Sequence, residues 1–196
     1  MGGLLMEQKV ADPAPLGLAA FAMTTFCLSC ANAGWWHGGG AAAALALALI
    51  YGGIAQFAAG MWEFVRKNTF GALAFTSYGA FWIAFYILLK IPAIPPGTDT
   101  VAIFLLAWTI FTAYMTVAAM RTNTAVLSVF VFLTLTFAAL TIGAWGAGHS
   151  GMTKLGGYLG LVTALLAWYA SAAGVINDTH GKVVLPVGPL NAPRGV

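Results

Sequence analysis

The sequence predicts an all-α membrane protein, a bundle of six transmembrane helices with both termini on the cytoplasmic side, and three observations predict it. Among 196 residues there are 8 Lys or Arg and 5 Asp or Glu, so charged residues make up 7% of the chain and apolar ones 61%. A soluble domain averages about 25% charged. The few charges are also segregated, leaving five charge-free runs at 13–62, 68–89, 100–120, 122–153 and 155–177. A bilayer span needs ~20 apolar residues, and the first run is long enough for two. Finally, with the N-terminus inside, Lys9, Arg66, Lys67, Arg121, Lys182 and Arg194 fall on the cytoplasmic side, against Lys90 and Lys154 outside. That asymmetry obeys the positive-inside rule. The net charge of +3 therefore reflects orientation in the membrane, and no basic cluster suggests a nucleic-acid partner.

Each helix has a reason to begin and end. Residues 1–14 carry Glu7, Lys9 and Asp12 ahead of the first apolar run, which is span-length and reads as a retained helix over 15–36, not a cleaved signal peptide. Asp12 offers a carboxylate to the unpaired amides of the first turn, and Pro13 and Pro15 are tolerated there because a missing N–H loses nothing. Trp35-Trp36-His37-Gly38-Gly39-Gly40 supplies interfacial aromatics and a flexible turn into a second helix over 41–62. The third helix spans 70–90, and the Pro92–Asp99 stretch is too proline-rich to continue it. Helices over 101–120, 124–146 and 155–176 follow, and the polar, Gly- and Pro-containing residues 177–196 form a cytoplasmic tail. Ala139, Gly143 and Ala147, then Gly156 and Gly160, recur at four-residue spacing. Such small-residue faces are where membrane helices approach one another.

Few residues are equipped for chemistry. Phe21, Thr25, Leu28 and Asn32 share one face of the first helix, mixing a bulky side chain with neutral polar ones. That face either lines a path or packs in a core with Thr25 bonded to its own backbone. Gln56 shares a face with Gly52, Gly60 and Glu63, and an amide in hydrocarbon must face protein or a watery cavity. Interhelical bonding and solute contact explain it equally well. Glu63, at the cytoplasmic end beside Arg66 and Lys67, reads first as a snorkelling or ion-paired group and second as a proton carrier. Cys27 and Cys30 lie in an apolar helix without basic neighbours, which suits packing, not redox chemistry. His37, His149 and His180 have no second ligand close in sequence, so no metal site is expected. No nucleophile and base can be assembled either, so neither an enzyme nor a cofactor is expected.

Asp12-Pro13-Ala14-Pro15-Leu16-Gly17-Leu18 closely resembles the Asn-Pro-Ala-Pro-Leu-Gly-Leu signature of the acetate uptake transporter family, which includes the succinate-acetate permeases. Tyr51-Gly52-Gly53 with Gln56, Asn68-Thr69-Phe70-Gly71, Thr76-Ser77-Tyr78-Gly79 followed by Phe81-Trp82, and Leu185-Pro186-Val187-Gly188 extend the resemblance over nearly the whole chain. It implies a six-helix membrane protein assembled as a homohexamer, each subunit having its own path for acetate and, in some members, succinate. It also implies that Phe21, Tyr78 and Leu133 form a constriction midway along that path. Members have been described both as proton-linked permeases and as channels.

The expectation is therefore a plasma-membrane, multi-pass permease or channel for acetate and related small carboxylates, surrounded by lipid and linked to protons. Substrate-path candidates are Thr25, Asn32, Gln56 and Ser77, with Asp12 and Glu63 at the cytoplasmic mouth. Asp12 departs from the family's usual Asn, keeping the cap while adding a negative charge. No Asp, Glu, Lys or Arg falls at the middle of any predicted helix, so a mid-membrane proton relay is absent. Two other readings compete: a channel for small neutral solutes such as urea, and a non-transporting structural subunit.

Overall fold

The computed structural model describes residues 10–35, 40–90, 99–146 and 148–190. Six helices run through them, each long and apolar enough to cross a membrane. They are α1 (Ala14–Asn32), α2, α3 (Thr69–Lys90), α4 (Thr100–Ala119), α5 (Thr124–Ala144) and α6 (Ser150–His180). Helix α2 consists of an α-helical piece, Gly40–Leu49, a π-helical stretch, Ile50–Ala55, and a second α-helical piece, Gln56–Val65. Among the described residues β-structure is limited to an isolated bridge between Asn123 and Pro189. Most of the Trp35–Gly40 turn, residues 92–98 of the proline-rich stretch and Ala147 lie outside the described residues.

Around the bundle the helices neighbour one another in the order α4, α5, α6, α1, α2, α3. Missing side chains set these contacts. A Cβ at Gly157 of α6 would collide with the Ala33 backbone just past α1, and one at Gly160 with Ser29 of α1. One at Gly156 would lie 2.6 Å from Leu140 of α5, and one at Gly143 of α5 2.6 Å from Thr153 of α6. The small-residue faces thus seat α6 against both α1 and α5. Lipid gives helices no hydrophobic reason to associate, so close packing of this kind is what holds them.

The backbones of α3 and α4 approach little, and aromatic rings fill the space between them. Tyr78 and Phe81 of α3 meet Trp108 of α4 at centroid distances of 5.9 and 5.1 Å, and Phe81 stacks on Phe104 at 5.6 Å. With Phe21, Phe130, Leu133 and Phe137 they form the buried centre of the bundle.

Two elements differ from the sequence expectation. Helix α6 extends beyond 155–176 at both ends. Lys154 lies a turn inside it, close to Gly34, since a long side chain lets its charge sit away from its own Cα. At the other end His180 and Thr179 bond back to the Ile176 and Val175 carbonyls, and Gly181 closes the helix at φ 62°. The π-helical stretch in α2 was not expected at all. Gly52 abuts Thr24 of α1 and Gly53 lies against Ile83 of α3. A widened turn lets the helix pass between two neighbours at that level, and such bulges recur at functional sites.

The residues after α6 fold back. Asn177 donates from Nδ2 to the Leu185 carbonyl at 2.8 Å and accepts from the Val184 and Leu185 amides at 2.7 and 2.9 Å. The returning strand then takes the free amides of Thr124 and Ala125 at the start of α5, through the Gly188 and Val187 carbonyls. Asn123 caps the same helix by accepting from Val126 N at 2.9 Å.

Candidate functional site

Three cavities follow α1 from one end to the other. The first, of ≈ 210 Å³, opens between Asp12, Pro15, Leu18, Asn123, Asn177 and Val187. The second, of ≈ 20 Å³, is lined by Leu18, Phe21, Gln56, Tyr78, Phe130 and Leu133. The third, of ≈ 150 Å³, is lined by Phe21, Thr25, Asn32, Trp82, Leu133 and Thr153, among others. Leu18 is shared by the first two, and Phe21 and Leu133 by the second and third. At ~1.5 Å rise per residue, the series along α1 covers roughly the hydrocarbon thickness of a bilayer.

The middle of the series is narrow because α1, α3 and α5 each contribute a large buried side chain there. Phe21 and Tyr78 lie with ring centroids 5.8 Å apart, and Tyr78 and Leu133 are each 3% exposed. Phe111 and Phe130 back the tyrosine ring at 5.4 and 6.0 Å. Its hydroxyl shares a 2.9 Å hydrogen bond with the Thr112 hydroxyl, and Thr112 in turn donates to the Trp108 carbonyl at 2.7 Å. The ring is thereby held by α4. A space of about 20 Å³ admits roughly one water. No solute of several heavy atoms passes without movement of these rings.

Polar chemistry along the series is sparse, and near its middle part of it is unpaired. Gln56 is 1% exposed, and its Oε1 has no partner among the described residues. It follows directly on the π-helical stretch and lines the narrow cavity. Thr25 is 5% exposed, and its hydroxyl also has no partner. Of the two readings for Thr25, backbone bonding is therefore the one the structure overturns. Its neighbour Thr24 is the one that bonds back, to the Ala20 carbonyl at 2.9 Å. Helical register explains the difference: Thr24 turns toward Gly52 of α2, and Thr25 toward the cavity.

The remaining candidates divide. Asn32 lines the ≈ 150 Å³ cavity and Asp12 the ≈ 210 Å³ one. Ser77 is half-buried and lines none of the three cavities. Glu63 lines none of them either. It is 1% exposed, against Gly71 of α3, and accepts from Asn68 Nδ2 at 2.9 Å through Oε2. Asp12 accepts from the Ala14 amide at 3.1 Å, one residue ahead of the N-cap position held by Pro13. It also forms an ion pair with Arg66, which follows α2. Its negative charge therefore does not stand alone at the mouth, a pairing that sequence separation conceals. Both side chains are substantially exposed, so the pair contributes at most about 1 kcal/mol.

Trp82 escaped the sequence reading of the site. It is 3% exposed, lines the ≈ 150 Å³ cavity and has an indole N–H without a partner among the described residues. Its position four residues after Tyr78 puts both on one face of α3, which is the signal that would have found it.

Known proteins share much of this sequence and its fold. Acetate permease A of Emericella nidulans is 40% identical over 92% of this chain, which spans 66% of that protein's length. The succinate-acetate/proton symporter SatP of Escherichia coli K12 is 38% identical, the match covering 92% of this chain and 96% of SatP. The solved structure of the bacterial acetate channel SatP superposes with a TM-score of 0.86 at 38% identity, over 92% of this chain and 100% of that one. The model of the GPR1/FUN34/yaaH family matches residues 4–192. With nearly its whole length matched and six helices arranged as in a solved relative, this multi-pass membrane protein belongs to the GPR1/FUN34/yaaH family.

Proposed function

We propose that this protein carries acetate and related small carboxylates across the plasma membrane, along the path formed by the three cavities beside α1. The observation that carries the reading is the pair Phe21 and Leu133, which line a cavity on each side of one narrow point. A structural subunit has no need of enclosed space in series. Family membership and the names of the two relatives supply the substrate class.

Phe21, Tyr78 and Leu133 act as the gate in this reading. Gln56 and Thr25 offer polar groups on either side of it, Asn32 lies near the far end, and Asp12 borders the near mouth. Glu63 and Ser77, which line none of the cavities, shape the surrounding helices and do not touch the solute. Positive-inside asymmetry puts the Asp12 end, with residues 1–14 and the tail from 177, in the cytoplasm. The family resemblance supports a homohexamer with one path per subunit.

A carboxylic acid with pKa near ~4 to 5 is almost wholly anionic at neutral pH, and the path contains no cation to replace its hydration. Passage as the neutral acid removes that difficulty, which favours transport linked to protons. Purified protein in liposomes tests the function directly. Labelled acetate should enter faster than into empty vesicles, and faster still with an inward proton gradient. No uptake at any gradient would overturn the assignment, and urea entering in acetate's place would support the neutral-solute reading.

A further inference from the structure

We infer that Trp82 is the residue that orients the solute in the ≈ 150 Å³ cavity beyond the gate, its indole N–H donating to the carboxyl oxygen of a short monocarboxylic acid with Thr25 as second partner. The inference rests on the acid-transport reading above and adds to it a site with its own selectivity.

Two observations carry it together. Trp82 and Thr25 line the same cavity from α3 and α1, and each is more than nine-tenths buried. Each also has a polar atom that no protein group satisfies. Other buried threonines bond back to the preceding turn: Thr24 to Ala20, Thr112 to Trp108, Thr136 to Phe132 and Thr141 to Phe137. Gln56, Glu63 and Thr76 also carry an unpaired atom, but Trp82 and Thr25 are the two such residues that line this one cavity. Buried polar groups are paired in native structures unless something else satisfies them. An indole nitrogen can only donate, so its partner must be an acceptor, and a hydroxyl beside it can donate to the same group. A carboxyl oxygen meets both requirements.

The rest of the wall determines what that carboxylate is attached to. Phe81, Phe85, Leu105, Phe137 and Leu140 present only carbon to the cavity. A space of about 150 Å³ is enough for a six-carbon ring. Acetate fits with room to spare, and so do acids with two further methylenes. A dicarboxylic acid also fits by volume, but it must shed the hydration of two carboxyl groups, with only the neutral side chains of Ser29, Asn32 and Thr153 left to meet the second. Neutral donors hold an acid weakly, which suits a site that must release its solute.

The test compares wild-type protein with Trp82→Phe and Thr25→Val in liposomes, using labelled acetate uptake and competition by propionate, butyrate and succinate. Phenylalanine keeps a ring in the cavity and removes the N–H, and valine removes the hydroxyl at similar volume. Apparent KM for acetate should rise about fivefold in Trp82→Phe, the effect of losing one neutral hydrogen bond. It should rise severalfold in Thr25→Val, with Vmax nearly unchanged and thermal stability in detergent preserved in both. Propionate and butyrate should compete with wild-type uptake more strongly than succinate. Unchanged KM in both variants, or succinate competing as well as propionate, overturns the inference while leaving acetate transport intact. Absence of uptake by the wild type overturns the underlying reading instead. If Trp82→Phe does not fold, Thr25→Val and the competition series decide the matter on their own.

Discussion

At the scale of single residues, the path shows a trade between stability and transport, and Gln56 states it most clearly. A buried amide with an unpaired oxygen costs on the order of 1–3 kcal/mol that an apolar residue of similar size would not incur. Replacing Gln56 by Leu should therefore raise the melting temperature in detergent while slowing acetate uptake. A lower melting temperature with unchanged uptake would make the amide purely structural. Phe21→Ala should act in the opposite sense. It removes the ring that divides two cavities, and Phe→Ala in a core costs about 3–5 kcal/mol. Uptake of solutes larger than acetate should increase even as stability falls, and a competition series of increasing chain length measures this. Both residues were legible in the sequence, because helical spacing put Phe21 with Thr25 and Asn32, and Gln56 between glycines. That Thr25 lacks a backbone bond while Thr24 has one was not, since two adjacent threonines in a helix differ only in what the neighbouring helices place beside them.

Elements depend on contacts that sequence spacing marks but does not assign. Gly156 and Gly160 read as one contact face, and the structure gives the first to α5 and the second to α1. Gly157, between them, is the tightest approach of α6 to the end of α1, against backbone atoms that cannot rotate away. Gly157→Leu should force α1 and α6 apart, at a cost of about 1–3 kcal/mol or more, and lower both melting temperature and yield. The docked tail is a second such case. Asn177→Ala removes three hydrogen bonds to residues 184 and 185 and frees the segment that covers the first amides of α5. At about 0.5–1.5 kcal/mol per bond, the melting temperature should drop by several degrees, and proteolysis after α6 should quicken. In the sequence, residues 177–196 read only as a polar tail, because nothing local shows that Asn177 reaches forward to 185 or that Val187 and Gly188 meet Thr124 and Ala125.

For the whole molecule, the decisive feature is the absence of charge along the path. The three cavities together are bordered by a single ionisable carboxylate, Asp12, already paired with Arg66 at one end. In the proposed reading, proton linkage then resides in the solute. Above its own pKa, the protonated fraction of an acid falls about tenfold per pH unit. Initial acetate uptake at fixed total concentration should therefore fall by close to that factor between external pH 6 and 7, and Glu63→Gln should not flatten the profile. A rate independent of pH would show that the anion itself passes.

Composition and the segregation of charge determined that this chain is a membrane protein with six spans, because successive apolar runs of ~20 residues match the thickness of a bilayer and a helix satisfies its own backbone there. Lys and Arg placement determined the expected orientation for a similar reason, the cost of moving charge across the bilayer. Which polar groups would be left unpaired, where three cavities would meet a single narrow point, and that Asp12 would find Arg66 were decided by the tertiary structure. Those properties belong to pairs of helices distant in sequence, and in a bundle packed on small residues they are settled by how closely the backbones approach.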